Sequence, residues 1–139
     1  MNIDFENPLS IDTNPLENTF IYLNKDLLLD LDSLSIHLVS DEALLKINIE
    51  YLNHDYYTDI ITFDLRDETS SDAEIFISID RVKENADTNE LPFEQELLRV
   101  AIHGMLHLSG INDKTGSEKA EMRKLEEKYL QKLFHVKRI

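Results

Sequence analysis

The chain has 139 residues, 42% of them apolar, enough to bury the core of one domain and too few for two. Fourteen Lys and Arg against 28 Asp and Glu leave a net charge of −14, which excludes a protein that holds nucleic acid by bulk positive charge. Cysteine is absent, so disulfides and thiolate-held metals are excluded, and a reducing compartment, the cytoplasm, is the expected location.

The opening MNIDFENPLS has neither the basic start nor the apolar stretch of a secretory leader. Apolar runs all fall short of the ~20 residues that span a bilayer, so no membrane contact is expected. A first strand is expected around Ile3 to Phe5. Asn14 is placed to cap a helix that carries Pro15 in its first turn and runs through Phe20, Leu23 and Leu27 to about Leu31. Leu34, Ile36 and Leu38 alternate with Ser35, His37 and Val39, the pattern of a half-buried strand. Ser40 caps a second helix, with Asp41 and Glu42 in its first turn, reaching Tyr51. Thr58 to Phe63 reads as a strand, Asp67 to Asp72 as a polar loop, and Ile75, Ile77 and Ile79 mark another strand. A short third helix covers Asp80 to Asp87, and a fourth begins near Pro92 and ends at Gly110. A fifth, capped by Ser117, runs towards Phe134 with Ala120, Leu125, Tyr129 and Leu133 for packing. The expected architecture is a single α+β domain over residues 1–139, with a small mixed sheet of about four strands packed against about five helices. From Lys114 onward Lys and Arg outnumber Glu, and a solvated helix face is the simplest reading of that charge.

The segment RVAIHGMLHLSGIND, Arg99 to Asp113, carries the chemistry. His103 and His107 lie four apart, so on a helix both imidazoles leave one face a turn from each other. Glu96 and Arg99 fall on roughly the same stripe, while Leu97, Ala101, Met105 and Leu108 form an apolar stripe opposite. Buried polar groups need partners, and a metal ion supplies one. Gly104 admits a close approach by another backbone or by substrate. Gly110 can turn left-handed to end the helix, after which Asp113 can return its carboxylate to the same ion. Two imidazoles, a carboxylate and an open fourth position make a catalytic zinc arrangement, so one Zn²⁺ is expected at the end of the fourth helix. His37, on a strand, and His135, in the tail, read as surface residues.

The spacing superficially looks like the metzincin motif HExxHxxGxxH, but Gly104 stands where those peptidases carry their glutamate base. HGMLHLSGIND instead resembles the HGxLHLxGxDH signature of the YbeY family. INIEYLNHDYYTDIITFDL, Ile47 to Leu65, is similar to that family's LNxxYRxKDxPTDVLSF at Asn48, Tyr51, Asp55, Thr58, Asp59 and Phe63. AEIFIS, Ala73 to Ser78, looks like its GDIxIS strand, and Met122 and Glu126 fit its closing helix. The resemblance implies a metal-dependent endoribonuclease of single-stranded RNA, acting in small-subunit ribosomal RNA maturation and ribosome quality control with the small subunit as partner. The chain departs from the pattern at four positions. Asp113 replaces a histidine ligand, Asn112 an aspartate, Leu52 an arginine and His54 a lysine. An arginine would clamp a phosphate where leucine cannot, so His54, Arg66 or Arg99 is expected to substitute, or activity to be weak. No general base is legible. His54, with Thr58 and Asp59, is the candidate lining of the substrate cleft. The alternatives are a non-catalytic, metal-stabilised ribosome-associated domain and, further off, a metallopeptidase.

Overall fold

The computed structural model describes residues 1–134; His135 lies outside them. In chain order the elements are β1 (Asn2–Glu6), α1 (Asn14–Asp26), β2 (Ser33–Val39), α2 (Asp41–Leu52), β3 (Ile60–Asp64), β4 (Asp72–Ser78), α3 (Ile79–Thr88), α4 (Phe93–Leu108) and α5 (Gly116–Leu133). The strands form one sheet in the order β1-β2-β4-β3. β1, β2 and β4 run parallel, and β3 closes one edge antiparallel to β4. This is the expected α+β fold with a mixed sheet.

Strand alternation sets the layers. Leu34, Ile36 and Leu38 of β2 and Ala73, Ile75 and Ile77 of β4 are buried in one cluster with Phe20 and Leu23 of α1 and with Leu97, Ala101 and Met105 of α4. Each strand residue removed from water with its apolar side chain contributes roughly 1.5–3 kcal/mol to holding the helices on this face. α2 packs against β3 and β4. Helix α4 is enclosed well beyond one stripe, since Leu98, Val100, Ile102 and Leu106 are buried as well. Its backbone is therefore rigidly held, and so are the two histidines it carries.

Several boundaries differ from the sequence reading for local reasons. α1 stops at Asp26 instead of near Leu31, because Leu28 and Asp30 take left-handed φ of 55° and 52° and the Asn24 side-chain oxygen accepts the Leu31 N–H at 2.9 Å. Asn14 lies inside the helix; Thr13 is the residue before it, and the Asp12 carboxylate accepts the Asn14 N–H. β3 begins at Ile60 and leaves Thr58 and Asp59 in the preceding loop. Ile79 opens α3 instead of ending a strand, because Ser78 Oγ accepts the Arg81 N–H and starts the helix.

α5 starts at Gly116, with Thr115 instead of Ser117 as its cap. Thr115 Oγ1 accepts the Glu118 N–H at 3.1 Å and Glu118 returns a carboxylate oxygen to the Thr115 N–H at 2.9 Å, a reciprocal capping box. Met122, Glu126, Tyr129 and Leu130 are its buried residues, whereas Ala120 is exposed. Thr115→Ala should cost about 1 kcal/mol, read as a fall of about 3–5 °C in the thermal midpoint. Among the described residues no helix is long and apolar enough to cross a membrane.

Candidate metal centre

α4 ends at Leu108, Ser109 caps it, and Gly110 takes a φ of 97°. That left-handed residue turns the chain so that Asp113 comes back beside the last two turns, as the spacing predicts. His103 Nε2 lies 3.3 Å from Asp113 Oδ2, His107 Nε2 lies 3.5 Å from Asp113 Oδ1, and the two Nε2 atoms are 3.0 Å apart. Ligands at ~2.0–2.2 Å in a tetrahedron sit about 3.3 Å from each other. Each ring nitrogen thus faces a different oxygen of Asp113, the three residues are close enough together to hold one ion, and their chemistry, two imidazoles and a carboxylate, suits zinc. All three side chains are only partly buried, which leaves the fourth direction open.

Behind the triangle stands a network that the sequence reading missed. Glu126 of α5 accepts the His103 Nδ1–H on Oε2 at 2.6 Å and a proton of Arg99 Nη1 on Oε1 at 3.0 Å. Arg99 also forks onto Glu96, and its Nη2 lies 3.6 Å from the Asp59 carboxylate. The side chains of Glu96 and Glu126 are each 2% exposed, yet both are fully partnered. A carboxylate on Nδ1 fixes the tautomer of His103, leaving Nε2 as the lone-pair donor towards the triangle. Burial opposes ionisation of Glu126, but the hydrogen bond from His103 and the charge of Arg99 outweigh it and hold the carboxyl below its usual range. At Asp59 burial dominates and pushes the carboxyl up, with Arg99 and His103 pulling the other way. The hydrogen bond to Glu96 raises Arg99 further above its ordinary value. One guanidinium therefore faces three carboxylates, Glu96, Asp59 and Glu126. The surplus of negative charge is an electrostatic setting that favours a cation.

The rest of the polar residues sort as follows. Part of the polar stripe of α4 is satisfied by Glu126, a partner additional to the metal ion expected from the sequence. Gly104 is approached by side chains and not by backbone, for a Cβ there would stand 2.6 Å from Ile60 Cδ1 and 3.1 Å from Thr62 Cγ2. Arg99 is committed to carboxylates and does not replace the missing arginine. Arg66 is held by Asp64 and by the Leu108 carbonyl at 2.6 Å, where it ties the exit of β3 to the end of α4. Asp59 turns towards Arg99 instead of lining the cleft. His37 is less exposed than expected, stacked on Phe76 and 2.7 Å from Glu74. His54 does stand in a cleft with a metal-triangle residue, a space of about 450 Å³ lined by Asn48, Leu52, Tyr56, Thr58, Ile60 and His107 among others.

A family model described as Endoribonuclease YbeY matches residues 9–134. The chain belongs to that family. The YbeY protein of Flavobacterium psychrophilum is 54% identical over 99 residues, 70% of this chain and 69% of the relative. That of Phocaeicola vulgatus is 50% identical over 91 residues, 66% of each, and that of Porphyromonas gingivalis is 51% identical over 90 residues, 65% of this chain and 60% of the relative. Matched stretches thus span about two thirds of these YbeY proteins or less. The solution structure of TM1509 from Thermotoga maritima superposes with a TM-score of 0.62 at 29% identity, covering 94% of this chain and 89% of that one.

Proposed function

We propose that this YbeY-family chain is a zinc-dependent endoribonuclease that cleaves single-stranded RNA, acting in the cytoplasm on small-subunit ribosomal RNA during maturation and quality control. The reading rests above all on the grouping of His103, His107 and Asp113, close enough together to hold one ion, beside a cleft on β3. The relatives' name, Endoribonuclease YbeY, supplies the substrate class. His103, His107 and Asp113 would hold one ion. When bound, zinc supplies Lewis acidity towards a phosphoryl oxygen and a water acidified to a pKa of about 7.

The chain's own groups do the rest. Glu126 orients His103, and Arg99 neutralises and steadies Glu126. Arg66 pins the end of α4 by its bond to the Leu108 carbonyl, and with it the placement of His107. Ile60 and Thr62 pack against Gly104 and set the wall of the cleft.

Incubating the zinc-loaded protein with single-stranded and duplex RNA of one sequence, with and without chelator, tests the proposal. Cleavage of the single strand alone, lost on chelation and regained with zinc, is expected. A second reading is a metal-stabilised, ribosome-associated domain without catalysis, favoured by Leu52 in the cleft wall and by the absence of Lys and Arg from the described cleft lining. Metal binding with no cleavage of either RNA would select it. A peptidase gains nothing from the geometry, since the residue after His103 is Gly104, packed against Ile60 and Thr62, and it carries no glutamate base.

A further inference from the structure

The cleft beside His107 contains a rigid pair of aromatic rings that the metal centre does not use. His54 and Tyr56 stack with centroids 5.2 Å apart and planes 19° from parallel, and Tyr56 Oη lies 3.0 Å from His54 Nδ1. Both rings line the cleft with His107, and Tyr56 is 55% exposed. Solvated rings are normally free to turn. These two are carried by a backbone that is not.

Asn53 takes a left-handed φ of 56° and caps α2 with its N–H on the Ile49 carbonyl at 3.2 Å. The His54 N–H donates to the Asn48 carbonyl at 3.1 Å. The Asn48 side chain, on a residue 2% exposed, donates back to the Tyr56 carbonyl at 2.9 Å. A buried amide thus reaches across the loop and fixes residues 54 and 56 on the same side. The ordering entropy of the loop is met in folding, before any ligand arrives.

We propose that Tyr56, backed by His54, is a stacking site for one unpaired nucleobase of the substrate strand next to the metal centre. The inference rests on the endoribonuclease reading and adds the means of holding the strand. Position 52 carries leucine, and no Lys or Arg lines the described cleft, while the chain as a whole is at −14. Coulombic attraction of the cleft's side chains to phosphates is therefore weak, and apart from the ion at the metal centre a ring face is the strongest feature the cleft offers to a polynucleotide. Stacking of a base on an aromatic side chain is sequence-tolerant, because every base has a π face. It also demands an unpaired base, which gives the site a physical reason to prefer single strands. Binding that relies on stacking in place of ion pairs falls little with added salt.

Tyr56→Ala and Tyr56→Phe in the full-length, zinc-loaded protein test the site on a short labelled single-stranded RNA, with KM and kcat separated and affinity read by anisotropy under chelation. The same RNA carrying abasic positions is the second probe. Because Asn48 holds the backbone carbonyl and not the ring, alanine leaves the loop anchored. Tyr56→Ala is expected to raise Kd and KM about tenfold on intact RNA, and Tyr56→Phe to stay within about threefold of wild type. On abasic RNA wild type and Tyr56→Ala should bind alike. Wild-type cleavage with an unchanged Tyr56→Ala overturns the stacking site alone, as does an alanine defect that persists on abasic RNA. A wild type that neither binds nor cleaves RNA overturns this site together with the endoribonuclease reading.

Discussion

His107→Ala is expected to reduce bound zinc from one ion per chain to a trace and to lower RNA cleavage by about a thousandfold or more. The argument is geometric. The two ring nitrogens stand 3.0 Å apart, each within 3.5 Å of one of the two Asp113 oxygens, and three such residues hold an ion because each supplies one vertex of a tetrahedron. Removing a vertex on the rigid, enclosed helix α4 leaves His103 and Asp113, and two protein ligands rarely retain zinc against a buffer. Several kcal/mol of charge stabilisation at the reacting phosphoryl group goes with the ion, and each ~1.4 kcal/mol is tenfold in rate. Since His107 is partly exposed and, among the described residues, its side chain bonds only within the His103 and Asp113 group, the variant should fold. Elemental analysis, circular dichroism and the RNA assay on one preparation separate the possibilities. A folded His107→Ala protein that keeps stoichiometric zinc would sink the proposed ligand set, and Asp113→Ala gives an independent check on the third vertex.

The grouping of His103, His107 and Asp113 was legible because every part of it is local. An i,i+4 histidine pair needs only helical periodicity, and Gly110 with Asp113 needs only a turn whose backbone preference is written in one residue. Strands β2 and β4 were legible for the same reason, through alternation. What escaped has a common cause, which is pairing between elements distant in sequence. Glu126 lies 23 residues from His103 and 27 from Arg99; the resemblance picks out its place in the closing helix, but nothing in its own neighbourhood says which side chains it meets. A signal existed on the other side. Glu96, Arg99 and His103 formed a polar stripe on a helix with many apolar residues, so buried charges there had to find partners, but their identity depends on how α5 docks. The left-handed pair Leu28 and Asp30 ended α1 early against the trend of the apolar pattern; aspartate visits that conformation more than most residues, but leucine at 28 gives no such signal. Helix α5 shows the same limit in its packing. Its buried positions are Met122, Glu126, Tyr129 and Leu130, a face set by α4, and Ala120 was left outside it.

The position of Glu126 between two functions leads to the other large effect. Glu126→Gln should fold and weaken zinc binding by about 10- to 100-fold, while Glu126→Ala should also destabilise the protein by about 2–4 kcal/mol. In the glutamine variant the volume is kept and one oxygen can still accept from either Arg99 or His103. The amide NH₂ then faces the other donor, so a donor meets a donor and His103 loses either its fixed tautomer or its orientation. With alanine both Arg99 Nη1–H and His103 Nδ1–H lose their acceptor in a nearly dry site. Charge-assisted hydrogen bonds of this kind contribute about 1.5–3 kcal/mol each, offset in part because Arg99 retains Glu96 and Asp59. Competition with a chromophoric chelator measures the first effect and denaturant unfolding of the metal-free protein the second. If Glu126→Gln bound zinc as tightly as wild type, the hydrogen bond to His103 would be a packing contact and would not tune the metal. If instead affinity falls while unfolding of the metal-free chain is nearly unchanged, the carboxylate acts through the imidazole, and α5 contributes to the centre without touching the ion.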